Sequence, residues 1–484
     1  MTLQPGIVSR DLDLSPFHHS DQIAFALLSG DRNPVHLDPV AARRTIFGQP
    51  IVHGMHLILR ALEAISGCPK PQAYAKIVAR FHRPVFLGEK LTLRIHEKPG
   101  GLDLTYLSED APLTAISLTE PAQFHDPDWP PEPDKNRSHP REAEIADLHD
   151  NSGIAALFQT PSDIRAVFPK ASAVFGANRI ANLLGVTYVI GMEAPGLHSM
   201  FATLTVELLD GVDTKLQFVA RRVTPKLSRV QLQFDSACLS GIAEAFVRPR
   251  TAPISFEACR AAVQAGEFHG RHALIVGGSR GLGLTTAYLM GAGGAKVTLT
   301  FRSGEQEARA AEATLKKHGV EVNVVKLDVK NPAPAFAALR DEPAIVTDLF
   351  YFPTPHIFVR KKTLFEEHLL REFLDNYVFH FLATVQEAKQ LAKDRLSVFF
   401  PSSDALNNPM KDLAEYYVAK TAGEAACEML ERYDNGVKTK VVRLPRLPTD
   451  QTATLMNVQT EDPIAVMLGI CRGMDIATPI LSSA

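Results

Sequence analysis

The sequence predicts two architectures in succession: an α+β region in which an antiparallel sheet cradles a long helix, twice over, and then an α/β doubly wound parallel sheet. Three observations predict it. Apolar and polar residues alternate in Lys90–Ile95, Ala202–Leu208, Leu216–Ala220 and Val230–Phe234, which suits a sheet buried on one face. Helical apolar patterns, Ile51–Ile65 and Ser172–Leu184, precede these runs. From His272 onward, short apolar strands alternate with helical stretches, the mark of a parallel sheet.

A chain of 484 residues is too long for one core and requires two or three. Its apolar share of 45% and net charge of −3 fit a globular protein with no global basic footprint, so no nucleic-acid partner is expected. The five cysteines form no Cys-x-x-Cys pair, which argues against a zinc or redox motif and for reduced thiols; no metal is expected. The N-terminus lacks the basic and apolar regions of a signal peptide, and no apolar run is long enough to span a bilayer. A cytoplasmic protein with no membrane partner is the expectation.

The organisation follows from composition. Residues 1–120 form the first expected domain. Residues 121–142 read as a linker, because Pro121, Pro127, Pro130, Pro131, Pro133 and Pro140 break helix and strand and stiffen the backbone. Its Trp129 reads as an anchor on a domain surface. Residues 143–255 repeat the helix-and-strand order, and Ala79–Phe86 loosely resembles Phe218–Pro225. Residues 266–484 carry the strands His272–Val276, Ala295–Phe301 and Val322–Leu327, with a glycine turn and the helical stretch Leu282–Leu289 after the first.

The first chemical signal is Asp31-Arg-Asn-Pro-Val-His36. Asn33-Pro34 favours a turn, which can aim a carboxylate and an imidazole at one point. Adding water to an enoyl thioester needs water activated for attack at C3 and a proton delivered to C2, and such a pair can do both. The developing enolate oxygen needs a donor, and a backbone N–H at a helix start is suitable. Gly54, at the start of the first apolar helix, permits close approach. Taken alone, the short motif equally suits a helix cap and a surface histidine. The longer run Phe25 to Asp38, with Phe47, Pro50 and His53-Gly-Met55, resembles the MaoC-like, or hydratase-2, family over most of residues 10–120. That resemblance implies a hot-dog fold, an acyl-CoA or acyl-carrier-protein thioester substrate, and Asp31 and His36 as the catalytic pair. It implies that Gly54 supplies the oxyanion N–H, and that Asn33 and His53 stand at the substrate.

The middle segment lacks this motif and reads as a second, non-catalytic hot-dog that helps form an acyl tunnel. Its His198 is either a contact to the acyl chain or a satisfied polar residue at a strand start.

The second chemical signal is Gly277-Gly-Ser279-Arg280-Gly281-Leu282-Gly283, after a strand and opening a helix. A glycine turn there lets backbone amides and a helix N-terminus face a pyrophosphate. Arg280 and Arg302 suit a 2′-phosphate, so NADPH (NADP+) is expected rather than NADH. Tyr416 and Lys420, four residues apart, share a helical face. The ammonium is expected to lower the phenol pKa, so that the tyrosine exchanges a proton with a substrate oxygen. Together these resemble the short-chain dehydrogenase/reductase family over roughly residues 268–484, which implies a Rossmann-like fold. The resemblance places Ser403, rather than Ser402, at the substrate carbonyl, Asn376 in a proton relay and Asp328 at the adenine. Phe352-Pro-Thr-Pro355 departs from the family's loop beside the cofactor, and Leu444-Pro-Arg-Leu-Pro-Thr449 from its later Pro-Gly, with Thr449 kept as the nicotinamide-side contact that the resemblance implies.

The leading reading is a bifunctional ketoreductase–dehydratase acting on 3-oxoacyl thioesters, assembled as a homo-oligomer (dimer or tetramer) as both families imply. The alternatives are an enoyl-CoA hydratase/3-hydroxyacyl-CoA dehydrogenase working oxidatively with NAD, and a hydratase joined to a non-catalytic nucleotide-binding module.

Overall fold

The computed structural model describes residues 9–133, 136–248, 254–340, 345–357, 363–449 and 460–475. The chain divides into two compact units, the first ending at Arg250 and the second beginning at Thr251.

Among the described residues, the first unit holds ten strands: β1 (Ser9–Leu14), β2 (Ala73–Phe81), β3 (Leu91–Lys98), β4 (Gly101–Ser108), β5 (Ala111–Ala122), β6 (Ser152–Ala156), β7 (Ser199–Leu208), β8 (Lys215–Thr224), β9 (Arg229–Asp235) and β10 (Leu239–Val247). They form one antiparallel sheet in the order β1-β3-β4-β5-β2-β7-β10-β9-β8-β6. Each half traces a strand, a helical segment and four strands, and the halves join where β2 pairs with β7. The counterpart of β8 by position is therefore β3. The likeness between Ala79–Phe86, which starts in β2, and Phe218–Pro225, in β8, is not a structural repeat, because period-2 alternation is common to every strand buried on one face.

The helix Gly54–Ser66 serves the first half and buries Met55, Leu57, Ile58, Leu59, Ala61, Leu62 and Ile65. In the second half Ser172–Leu184 is not one helix. It breaks at Gly176, whose φ of 84° lies in the left-handed region, into Pro169–Phe175 and Ala177–Tyr188. Every residue of Ala177–Tyr188 is buried, so its polar side chains need partners. The Arg179 guanidinium donates to the carbonyls of Leu209 and His125 and pairs with Asp210. This helix runs on into a widened π turn, Val189–Glu193, closed by Ala194 N–H donating to the Val189 carbonyl at 2.8 Å. One continuous apolar core runs through both halves.

The proline-rich stretch begins inside β5, which carries Pro121 near its end. Its side chains hold it to the second half: Asp126 accepts from the Ala177 N–H at 2.8 Å and pairs with Arg165. Trp129 is a buried core member rather than a surface anchor.

Among the described residues, the second unit holds six parallel strands: β11 (His272–Val276), β12 (Lys296–Phe301), β13 (Val322–Lys326), β14 (Asp348–Tyr351), β15 (Leu396–Ser403) and β16 (Val437–Leu444), in the order β13-β12-β11-β14-β15-β16. The order reverses between β11 and β14, where ligands bind in doubly wound sheets. Successive residues of β11 show why its run is continuously apolar: Leu274 and Val276 enter one core, Ala273 and Ile275 the other.

Candidate active sites

In the first unit the turn after the helix His19–Ser29 brings Asp31 inward. Gly30 ends that helix at φ 77°, and Asn33 caps the next turn through its Oδ1, which accepts from the Val35 N–H. The reactive atoms of Asp31, His36 and His53 lie within 4.8 Å of one another. Asp31 is buried, its Oδ2 accepting from the Thr187 hydroxyl at 2.8 Å and its Oδ1 from the Asn33 N–H at 3.3 Å. Burial pushes its carboxyl up to about 7, against the pull of those two bonds.

His36 Nδ1 lies 2.8 Å from the Ile51 carbonyl. A carbonyl only accepts, so Nδ1 carries the hydrogen and Nε2 presents a lone pair. Burial holds this imidazole down at about 4, opposed by the Ile51 bond and reinforced by the charge of Arg248. It is neutral at physiological pH. His36 stacks on His53 at 3.7 Å between ring centroids. Both His53 ring nitrogens are engaged, one 2.9 Å from Gln22 Oε1 and the other 3.1 Å from the Asp31 carbonyl. His53 thereby supports the Asp31 turn. These engagements also leave the cluster few free positions for a metal ion.

Gly54 opens its helix, and its N–H has no protein acceptor among the described residues. A Cβ there would stand 3.0 Å from Phe81 and 3.2 Å from Phe201, a tight fit that would press on both rings beside that N–H.

The second half contributes directly to this site. Besides the Thr187 hydroxyl, the π turn sets Gly191 against the carboxylate, where a Cβ would fall 2.1 Å from Asp31 Oδ1. Asn33 Nδ2 donates to the carbonyls of Gly191 at 3.2 Å and Gly196 at 3.1 Å. His198 makes no hydrogen bond to the pair; its ring is 3.6 Å from the Glu142 carboxylate, and burial holds it down at about 4. Thr187 and Gly191 were not visible as site residues in the sequence, since neither stands in a motif.

In the second unit the glycine turn links β11 to the helix Gly281–Ala292. Gly277 and Gly281 have φ of 79° and 54°. A Cβ on Gly283 would fall 2.3 Å from the Gly277 carbonyl oxygen, while the space over Gly281 is open. The turn is thus a bare backbone cradle at a helix N-terminus, which fits a dinucleotide pyrophosphate. Ser279 and Arg280 lie in the same turn and Leu282 at the start of the helix, all half-buried, and Arg302 and Asp328 are exposed just after β12 and β13.

Tyr416 and Lys420 lie one turn apart on the helix Ala414–Tyr433, both buried. Burial raises the Tyr416 phenol, opposed by a hydrogen bond with Ser403. The expected lowering by Lys420 is not found. The ammonium donates to the Pro401 carbonyl at 2.5 Å and lies 3.8 Å from the centre of the Tyr377 ring, but 5.7 Å from that of Tyr416. Burial pulls Lys420 down to about 7. Tyr377 itself is 2.5 Å from the Thr354 hydroxyl, so the divergent 352–355 loop reaches the lysine through this ring. Ser402 is turned away, donating to Glu424 at 2.5 Å. Asn376 is not brought to the pair by its side chain, which donates to the Glu372 carbonyl, while its own carbonyl accepts from Tyr351.

A sequence profile of the MaoC like domain matches residues 8–100. The (R)-specific enoyl-CoA hydratase of Aeromonas caviae is 36% identical over 104 residues, 21% of this chain and 72% of that enzyme. This chain belongs to the MaoC-like family. A profile of the short chain dehydrogenases matches residues 271–349, so the N-terminal MaoC-like domain is joined to a short-chain dehydrogenase domain. Other relatives are matched over a smaller part of their length. The 3-hydroxyacyl-thioester dehydratase Y of Mycobacterium tuberculosis is 42% identical over 85 residues, 16% of this MaoC-like chain and 29% of its own length. The peroxisomal hydratase-dehydrogenase-epimerase of Saccharomyces cerevisiae is 36% identical over 76 residues, 16% of this chain and 8% of its own. A Burkholderia cenocepacia short chain dehydrogenase solved with NADP superimposes at a TM-score of 0.39 and 19% identity, over 43% of this chain and 91% of that one. The parallel sheet and the sequence profile, not this superposition, assign the second unit.

Proposed function

We propose that this MaoC-like protein reduces a 3-oxoacyl thioester of CoA or acyl carrier protein at C3 with NADPH, and then eliminates water to give the trans-2-enoyl thioester. The first unit is read as a double hot-dog whose first half carries the chemistry and whose second half shapes it. The observation that carries the reading is the pairing of a neutral His36, with its Nε2 lone pair facing the site, and an Asp31 whose carboxyl is held near 7.

In the hydration direction His36 Nε2 takes a proton from water as its oxygen bonds C3, and protonated Asp31 gives a proton to C2. The proton on His36 then returns to Asp31. Dehydration is the reverse: Asp31 carboxylate removes the C2 proton and protonated His36 gives its proton to the leaving hydroxyl. The Gly54 N–H and its helix N-terminus stabilise the enolate oxygen between the two steps. Thr187, Asn33 and Gly191 hold the carboxylate in place.

In the second unit the glycine cradle would hold a nicotinamide cofactor, which when bound would supply the hydride for C3. Arg280 and Arg302 would bind its 2′-phosphate and Asp328 its adenine, while Ser403 and Tyr416 would hold the substrate oxygen, to which Tyr416 would give its proton. A second reading is favoured by the withdrawal of Lys420 onto Pro401 and Tyr377: this unit binds nucleotide without turnover.

Two assays test the proposal separately. Hydration of crotonyl-CoA is expected to depend on Asp31, and Asp31→Asn retaining wild-type rates overturns the hydratase assignment. NADPH oxidation with acetoacetyl-CoA is expected to vanish in Tyr416→Phe and to be faster than NADH oxidation. Tight NADPH binding with no oxidation selects the second reading.

A further inference from the structure

Arg248 follows β10 and is half-buried, at the edge of the hydratase centre. Its backbone N–H donates to the His198 carbonyl at 2.9 Å. One guanidinium nitrogen, Nη2, donates to the Leu197 carbonyl at 3.1 Å, and the same oxygen accepts from Asn33 Nδ2 at 3.4 Å. The guanidinium thus shares an oxygen with the residue that bonds Asp31, and its charge reaches the rings of both His36 and His198. Yet Nε is buried with no hydrogen-bond partner, and no carboxylate pairs with the guanidinium among the described residues. Burial alone acts on its pKa, pulling it down to about 10.

A half-buried cation whose buried Nε has no acceptor is costly, and a planar fork with an unused N–H is shaped for a carboxylate. Two sources of anion belong to a thioester substrate. The phosphates of CoA or of a carrier arm lie a full pantetheine length from the thioester, whereas Arg248 neighbours the histidine that faces C3. The enolate oxygen is not its partner either, because the hydratase assignment gives that oxygen to the Gly54 N–H, beside Phe81 and Phe201. Resting on the hydratase assignment above, we infer that Arg248 recognises a carboxylate on the acyl group itself, and that the hydratase centre takes short enoyl thioesters bearing a free terminal carboxylate. The reaction is unchanged in balance: water adds across C2 and C3 while the distal carboxylate stays ionised and bound.

The test compares hydration of three substrates by the full-length protein: the CoA monothioester of fumarate, crotonyl-CoA, and crotonyl-N-acetylcysteamine, which has no phosphate. Wild type should prefer the fumarate thioester. Arg248→Gln should lower the ratio of its kcat/KM to that of crotonyl-CoA by about 10- to 100-fold, the range of a charged hydrogen bond. Arg248→Lys should restore part of that ratio, which a folding defect would not permit. Equal losses on all three substrates, or a loss on both CoA thioesters that spares crotonyl-N-acetylcysteamine, overturn the proposal in favour of a structural role or a phosphate contact. If Asp31→Asn leaves crotonyl-CoA hydration intact, the hydratase assignment itself has failed.

Discussion

The Thr187 hydroxyl offers the most direct handle on the hydratase mechanism, because it touches Asp31 and nothing else in the proposed chemistry. Its bond of 2.8 Å stabilises the carboxylate and opposes the burial that raises Asp31 to about 7. Removing a hydrogen bond to a charged acceptor costs the ionised form about 1.5–3 kcal/mol, so Thr187→Val should raise the carboxyl by about 1–2 units. The active form carries one proton on the Asp31–His36 pair. Activity should therefore be bell-shaped in pH, with apparent limbs belonging to the pair, set by His36 near 4 and by Asp31 near 7. In Thr187→Val the alkaline limb should move up. The ratio of variant to wild-type kcat/KM for crotonyl-CoA should then grow roughly tenfold between about pH 6 and pH 8.5. A pH–rate series decides the matter. A variant that is slower by one constant factor at every pH, or a wild type whose rate reaches a plateau above pH 8, refutes the assignment of roles.

Three further outcomes follow from the same geometry. Asp31→Asn should stabilise the first unit at alkaline pH: the native carboxyl binds protons more tightly than the unfolded one, so wild-type stability falls as pH rises from about 4 through about 7. The full difference is about 4 kcal/mol above that window and vanishes below it, measurable as hydrogen-exchange protection of the helix Gly54–Ser66. Gly191→Ala should displace the carboxylate, since its Cβ would fall 2.1 Å from Asp31 Oδ1; crotonyl-CoA hydration should drop at least about 100-fold while NADPH binding is kept. Arg302→Ala should raise the NADPH dissociation constant about tenfold and leave that of NADH unchanged in a fluorescence titration.

Much of this site was legible because its chemistry is local. Asp31, Asn33 and His36 fall within six residues, and Gly54 heads the helix that the apolar pattern marked. The glycine turn, Tyr416 and Lys420 are local in the same way, and the parallel sheet could be read from strands apolar on both faces. What stayed hidden depends on contacts across the chain. Thr187 and Gly191 reach Asp31 only because β2 pairs with β7 and the helix Ala177–Tyr188 widens into a π turn, and no short pattern encodes that turn. The break at Gly176 was masked by apolar residues on both sides. Arg248 looks like one more basic residue at a strand end until its missing partners are seen. Lys420 was assigned by its spacing from Tyr416 and by the family resemblance, yet its ammonium is governed by Pro401 and Tyr377, groups that neither reveals.

The central claim is that two centres on one chain act in sequence on one acyl thioester. It is tested most directly by incubating the protein with acetoacetyl-CoA and NADPH and weighing the acyl products of the wild type, Asp31→Asn and Tyr416→Phe. The account predicts 3-hydroxybutyryl-CoA and crotonyl-CoA from the wild type, 3-hydroxybutyryl-CoA alone from Asp31→Asn, and unreacted substrate from Tyr416→Phe. Crotonyl-CoA formed by Asp31→Asn, or no reduced product from the wild type, would contradict it.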